Sequence, residues 1–324
     1  MGAIMKKMYL PPLLLAALLA VVLSACGRQR VQTPADEVRG TLTISGAFAL
    51  YPLMQRWAIE YQKLHPGVQF DISAGGAGKG MTDVLSGVVD IGMVSRAITT
   101  EEENQGAYGV PVVMDAVFPT ASDKNPVLQD LLARGVTRET FIGIFLTGEI
   151  RTWGQVVGRP EMTAEIHAYT RADACGAAEV WAKYLGGQQE DLLGVGISGD
   201  PGLLDAVVRD PLAIGYNNLG YAFDANTGRP VTGAIIVPID VNTNGVAEEW
   251  EVLETRSEAQ EAIASGKYPS PPARPLYLVT YGKPNGLARD FLEWILTDGQ
   301  QFVREAGYVP LSAEQLNEAL NRVR

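Results

Sequence analysis

Past residue 40 the chain alternates short two-period apolar runs with longer runs of helical spacing. Thr41-Leu-Thr-Ile44 is the first alternating run. Leu53, Met54, Trp57, Ala58, Tyr61 and Leu64 then recur at helical spacing, which predicts a helix over Tyr51–Leu64 with Pro52 in its first turn. His65-Pro66-Gly67 stops it. Val68–Ile72 predicts a second strand, Met81–Leu85 a second helix and Val88–Val94 a third strand. This β-α-β-α-β order is the signature of a parallel α/β unit.

Val110–Phe118 is a long apolar β stretch, and after Pro119, Asn125 and Pro126 the texture changes. A short helix is expected over Thr137–Phe145, then a turn anchored by Trp153. A strand at Ile166–Tyr169, a helix at Pro201–Val208 and a strand at Leu212–Tyr216 follow, with Tyr221 lining the region or packing behind it. Asn242-Thr-Asn-Gly245 marks a loop. Pro269, Pro271, Pro272 and Pro275 exclude a central strand before Leu276. A helix is predicted over Gly286–Leu296 and a last one from Ala313 to about Leu320, after a turn at Gly307–Leu311. The pattern gives two α/β halves, 40–118 with 237–324 and 119–236. The cleft between them is the default ligand site.

The N-terminus reads differently. Lys6 and Lys7 precede an apolar run from Met8 to Leu23, and Leu23-Ser24-Ala25-Cys26 follows. This is a signal segment over 1–25. A Cys in that setting resembles the bacterial lipobox, which implies lipid on Cys26 and a polar tether over 26–39. A plain secretory signal or an uncleaved anchor is the alternative. The only other cysteine is Cys175, so a lipidated Cys26 leaves no disulfide. A formal net charge of -11 offers no basic surface for nucleic acid. It does not exclude a local anion site.

Candidate chemistry sits in the loops that end the strands, where open α/β sheets bind ligands. These are Ser45-Gly46, Ser73 to Gly80, Ser95-Arg96 and Arg171-Ala-Asp-Ala-Cys-Gly-Ala177. The glycine-rich loop has neither the dinucleotide-binding spacing nor the P-loop Lys-Ser/Thr. The last stretch is a strand end, a tight turn and a helix start, whose unsatisfied N–H groups suit an oxyanion. The expected donors are the amides at Gly46-Ala47, Gly76-Ala77 and Gly176-Ala177, the hydroxyls of Ser45, Ser73 and Ser95, and Arg171. Arg96 is a second cation or a loop lock, and Asp173 orients Arg171 or caps the helix. A competing reading makes Cys175 a nucleophile with a depressed pKa. It lacks a well-placed base, because His167 lies in the incoming strand. His65, His167 and Cys175 have no close metal-ligand spacing, there is no H-E-x-x-H, and no cofactor is expected.

In order along the chain, Ser45-Gly46 with Tyr51-Pro-Leu, Gly75-Gly-Ala-Gly78, Val89-Asp-Ile-Gly-Met-Val-Ser-Arg96, Leu146-Thr-Gly-Glu-Ile-Arg-Thr-Trp153, Arg171-Ala-Asp-Ala-Cys-Gly176, Ala213-Ile-Gly-Tyr216 and Gly307-Tyr-Val-Pro-Leu311 resemble the PstS-type phosphate-binding proteins of ABC importers. The resemblance implies a type II periplasmic-binding-protein fold, with two α/β lobes joined by two hinge crossings. It also implies a monomeric, non-enzymatic solute-binding lipoprotein of the cell envelope that closes on a small oxyanion, phosphate first. Its implied partners are an ABC permease and its ATPase. A different anion or a sensing role is the alternative. The motif departs from the family where Cys175 and Ala177 replace Ser and Thr, where Ala77 replaces Ser, and where Ala47-Phe48 lacks a hydroxyl. Each donor lost to a buried anion costs about 1.5–3 kcal/mol.

Overall fold

Three parallel strands, β1 (Arg39–Gly46), β2 (Gly67–Ala74) and β3 (Ile91–Val94), form one end of the sheet, with β1 in the middle. The computed structural model describes Gly2 and residues 38–324. The expected signal segment, Cys26 and nearly all of the expected tether lie outside the described residues. Arg39, placed in the tether from sequence, is the first residue of β1. α1 (Tyr51–Leu64) and α2 (Ala77–Leu85) return the chain between these strands. α1 turns Leu53, Met54, Trp57, Ala58 and Tyr61 inward, the stripe its 3.6-residue period requires.

After α3 (Thr100–Asn104), β4 (Ala107–Ser122) runs for 16 residues. Its first part pairs antiparallel with β9 (Ala273–Tyr281), and its last part with β7 (Ala213–Asn218) and β8 (Ala234–Ile236). α4 (Leu128–Arg134), α5 (Arg138–Ile142), a π-helical turn (Gly143–Thr147) and α6 (Trp153–Val157) follow β4. The chain continues through β5 (His167–Arg171), α7 (Gly176–Leu185), β6 (Val195–Ile197) and α8 (Gly199–Arg209). α9 (Leu219–Ala222), α10 (Arg256–Ala264), α11 (Gly286–Leu296) and α12 (Ala313–Val323) complete the described α-helices. The strand order is β2-β1-β3-β9-β4-β7-β5-β6, with β8 beside β4. The result is a mixed sheet flanked by helices, an α/β fold.

Two large apolar cores lie along this sheet. One joins β1–β3, α1, α2, α11 and α12 to Val110, Val112 and Val113 of β4 and to Leu276 and Leu278 of β9. The other takes Ala116, Val117, Phe118 and Ala121 of the same β4, with Trp153, Trp181, Ile214 and Tyr216. Val237, Ile239, Leu253, Ile263, Tyr268 and Ala273 also pack in this second core. Along β9 the packing passes from the second core at Ala273 to the first at Leu276. β8 pairs with the far end of β4, at Thr120, Ala121 and Ser122.

Pro275 corrects an expectation from the sequence. It sits inside β9, a central strand, opposite Met114. Met114 exchanges both of its main-chain bonds with Val309 instead, at 2.8 and 3.1 Å. The N–H that proline lacks is therefore not needed there.

Candidate functional site

Arg171 is the last residue of β5, and its side chain is 1% exposed. Its Nε donates to Asp173 Oδ1 at 2.9 Å and its Nη2 to Asp173 Oδ2 at 2.6 Å, a fork-to-fork pair. Its Nη1 donates to Asp200 Oδ2 at 2.6 Å. Asp200 is buried in the first turn of α8, and its Oδ1 accepts from Asn218 N and Nδ2 at 3.2 and 2.8 Å. Burial works against the charge on Arg171, yet Asp200 and Asp173 hold its pKa above the usual value. Burial likewise opposes ionisation of Asp173. The bonds from Arg171 and from Gly199 N nonetheless keep it below the usual carboxylate range. Asp173 thus orients Arg171, and it is Cys175 that caps α7. The Phe48 ring lies 5.4 Å from the guanidinium carbon, within cation–π range.

Arg96 is engaged in the same manner. Its Nη1 and Nη2 donate to Glu102 Oε2 and Oε1 at 2.8 and 2.5 Å, and its Nε meets Glu179 Oε2 at 3.0 Å. Glu102 belongs to the α3 turn and Glu179 to α7. Arg96 therefore locks its own loop and ties it to the second core.

The strand-end loops meet directly. Gly78 N donates to Ala174 O at 3.2 Å. Gly176 packs on Ser95 so closely that a Cβ there would come within 2.2 Å of the Ser95 carbonyl oxygen. Only glycine permits this approach. Several expected donors are spent internally. Ala47 N donates to Met93 O, Gly76 N to Gly46 O, and Ser45 Oγ to Asp83 Oδ2 at 2.6 Å. Ser73 is exposed at the end of β2. Among the described residues, the amides of Ala77, Gly176 and Ala177 meet no acceptor. Beside the joined loops a cleft of about 450 Å³ is lined by Gly78, Arg96, Ala174, Cys175, Glu179 and Lys183.

Cys175 Sγ accepts from Ala178 N at 3.4 Å. Burial pushes the thiol up to about 12, and Arg171 only partly opposes this. The depressed pKa expected from sequence is therefore reversed. His167 is turned to Asp210, with Nδ1 2.6 Å from Oδ2. Burial thus favours the neutral thiol of Cys175, and among the described residues no histidine stands beside it as the base that nucleophilic catalysis requires.

Sequence reasoning did not find Asp200, Glu102 or Glu179. It also missed a buried group behind the site. Arg274 donates from Nε to Ser95 O at 3.0 Å and from Nη2 to Asn218 Oδ1, and it pairs with Asp115 at 3.2 Å. Asp200 had one available signal, an acidic residue just before Pro201 at a helix start. Its partner lies 29 residues away, and local pattern carries no such information.

The family model for the PBP superfamily domain matches residues 31–299. The chain belongs to the PBP superfamily. Within this superfamily it is 27% identical over 327 residues to "Phosphate-binding protein PstS" of Bacillus subtilis, covering 98% of this chain and 99% of that one. It is 26% identical to "Protein SphX" of Synechocystis, covering 93% and 85%. A crystal structure of a phosphate ABC transporter substrate-binding protein from Clostridium perfringens, with bound phosphate, superposes with a TM-score of 0.68. Its identity is 23%, over 84% of this chain and 100% of that one, and the likeness speaks for the fold.

Proposed function

We propose that the chain is an extracytoplasmic solute-binding protein that takes a small oxyanion, phosphate first, and delivers it to an ABC permease and its ATPase. The observation that carries this reading is the likeness to a phosphate-binding protein along 98% of this chain and 99% of that one. The geometry supports it. Arg171 is fixed by two carboxylates that take three of its five N–H groups. The unpartnered amides of Ala77, Gly176 and Ala177 add donors at helix starts. Phe48, Ser95, Arg171, Gly176 and Ala177 form the ligand wall, with Asp173 and Cys175 holding its shape. Ser45, Gly46, Ala47, Gly76 and Arg96 set the loops. In this reading the two cores are lobes of a type II fold, β4 and β9 are the hinge, and lipid on Cys26 anchors the protein to the membrane.

One observation favours a second ligand class. Ala47, Ala77 and Ala177 bring no hydroxyl, and Cys175 Sγ is spent on Ala178. A larger or less hydrated oxyanion tolerates such a wall better than phosphate does. Titration calorimetry with phosphate, sulfate, molybdate and methylphosphonate separates the readings. Saturable heat with phosphate is expected. Heat with another anion alone moves the assignment to that ligand, and silence toward all four rejects an oxyanion site.

A further inference from the structure

The loop between β8 and α10 carries a set of oxygen atoms that the oxyanion site does not use. It reads Asp240-Val-Asn242-Thr-Asn244-Gly245-Val246-Ala-Glu248-Glu-Trp250-Glu251. Counting Asp240 as position 1 places Asn at 3 and 5, Gly at 6, the Val246 carbonyl at 7, and Glu at 9 and 12. This is the spacing of a twelve-residue calcium loop, where those positions supply oxygen ligands and the glycine makes the sharp turn. The chain is wound accordingly. Gly245 has φ 76° and donates to Asp240 Oδ2 at 2.9 Å, while Asn244 N donates to Oδ1 at 3.2 Å. At the far end Glu251 accepts from Val241 N at 2.8 Å and from Glu248 N at 3.1 Å, so position 12 folds back onto position 2.

An independent observation concerns charge. Four carboxylates are buried in the described chain: Asp115, Asp200, Asp240 and Glu251. Asp115 faces Arg274 and Asp200 faces Arg171. Asp240 is 2% exposed and Glu251 4%, and neither meets a Lys, Arg or His among the described residues. A buried carboxylate without a counter-charge is strongly unfavourable. Loop amides satisfy their oxygens but bring no counter-charge, and as they stand the described carboxylates form no ready-made metal cluster. With Glu248 turned inward between them, they suit a multivalent cation. The donors are all oxygen, which disfavours zinc. The seven-ligand set and the long acidic residue at position 12 suit Ca²⁺ better than the smaller, octahedral Mg²⁺.

We propose that residues 240–251 form a Ca²⁺ site. The Asp240, Asn242, Asn244 and Glu251 side chains and the Val246 carbonyl ligate the ion, and Glu248 completes the shell. Glu248 here takes the amides of Asn242 and Asn244 and the Trp250 indole, at 2.9, 3.2 and 2.8 Å, and binding releases it from them. The loop is tied to the end of α4 through Asp240 N to Val136 O and Ala247 N to Ala133 O. The ion therefore fastens this connection to the second core.

Trp250, at position 11, serves as a built-in antenna for Tb³⁺. With the whole mature protein, Tb³⁺ emission excited through tryptophan is expected to saturate and to be displaced by Ca²⁺. Thermal unfolding in saturating Ca²⁺ is expected roughly 5 °C above that in EDTA, with a smaller rise in Mg²⁺. Trp250→Phe removes the emission and keeps the Ca²⁺ shift. Glu251→Gln weakens Ca²⁺ binding by at least about tenfold. Glu251 is buried and that variant can fail to fold, so Asn244→Ala, at an exposed position, must show the same direction. Identical unfolding in Ca²⁺ and EDTA overturns the proposal, as does undiminished Ca²⁺ binding by Asn244→Ala. Equal shifts with Mg²⁺ and Ca²⁺ overturn the choice of ion.

Discussion

Arg171→Ala is the variant whose consequences the structure fixes most closely. It deletes a guanidinium that is 1% exposed and leaves Asp200, also 1% exposed, without its only cationic partner among the described residues. Asn218 still donates twice to Asp200 Oδ1, so the hydrogen bonding there survives while the charge is stranded. Removing one member of such a pair costs about 3–5 kcal/mol. That corresponds to a fall in Tm of roughly 10 °C for a domain of this size. Adding Asp200→Asn removes the stranded charge and should recover about 1–3 kcal/mol as coupling. Asp173 needs no such repair, because its side chain is 21% exposed and water reaches it. Urea unfolding of the wild type, both single variants and the double variant measures the cycle, with unchanged m values as the check on two-state behaviour. Anion binding, read by calorimetry, should not return in the double variant. Strictly additive stabilities, or an Arg171→Ala midpoint equal to the wild type, would refute the pairing argument. Recovered binding in the double variant would place the anion elsewhere.

Two further outcomes follow from the buried groups. Burial lifts Asp115 to about 6 despite Arg274, so the native state keeps this proton to higher pH than the unfolded chain does. Between pH 4 and 7 the wild type should therefore lose about 3 kcal/mol relative to Asp115→Asn as pH rises. Parallel pH profiles would contradict this. Cys175, pushed up to about 12, should resist iodoacetamide at pH 8 in the native state and react at once in denaturant. Rapid native labelling would restore the nucleophile reading.

The helices with strong apolar stripes were legible without coordinates. Tyr51–Leu64 and Gly286–Leu296 form over the residues their spacing predicts. The position of Arg171 at a strand end followed by a helix start was also legible, because both signals are local. What could not be read were partners across the fold. Asp200 for Arg171, Glu179 for Arg96 and Ser95 for Gly176 meet only when the loops converge, and periodicity carries no information about which loops do so. Pro275 misled because the rule against proline assumes that every strand position needs its ladder bond. Met114 shows that a third segment can take that bond instead.

The continuity of β4 bears on how the protein can be taken apart. One sixteen-residue strand supplies Val110, Val112 and Val113 to one core and Ala116, Val117, Phe118 and Ala121 to the other. Side chains alternate along a strand, so inserting one residue near Met114 would invert every position on the far side while leaving the near side intact. The halves are therefore not interchangeable cassettes. A chimera with a relative must cut both β4 and β9, and the two cuts must keep the same parity. Domain swapping by recombination is closed to this architecture except at junctions that respect that count.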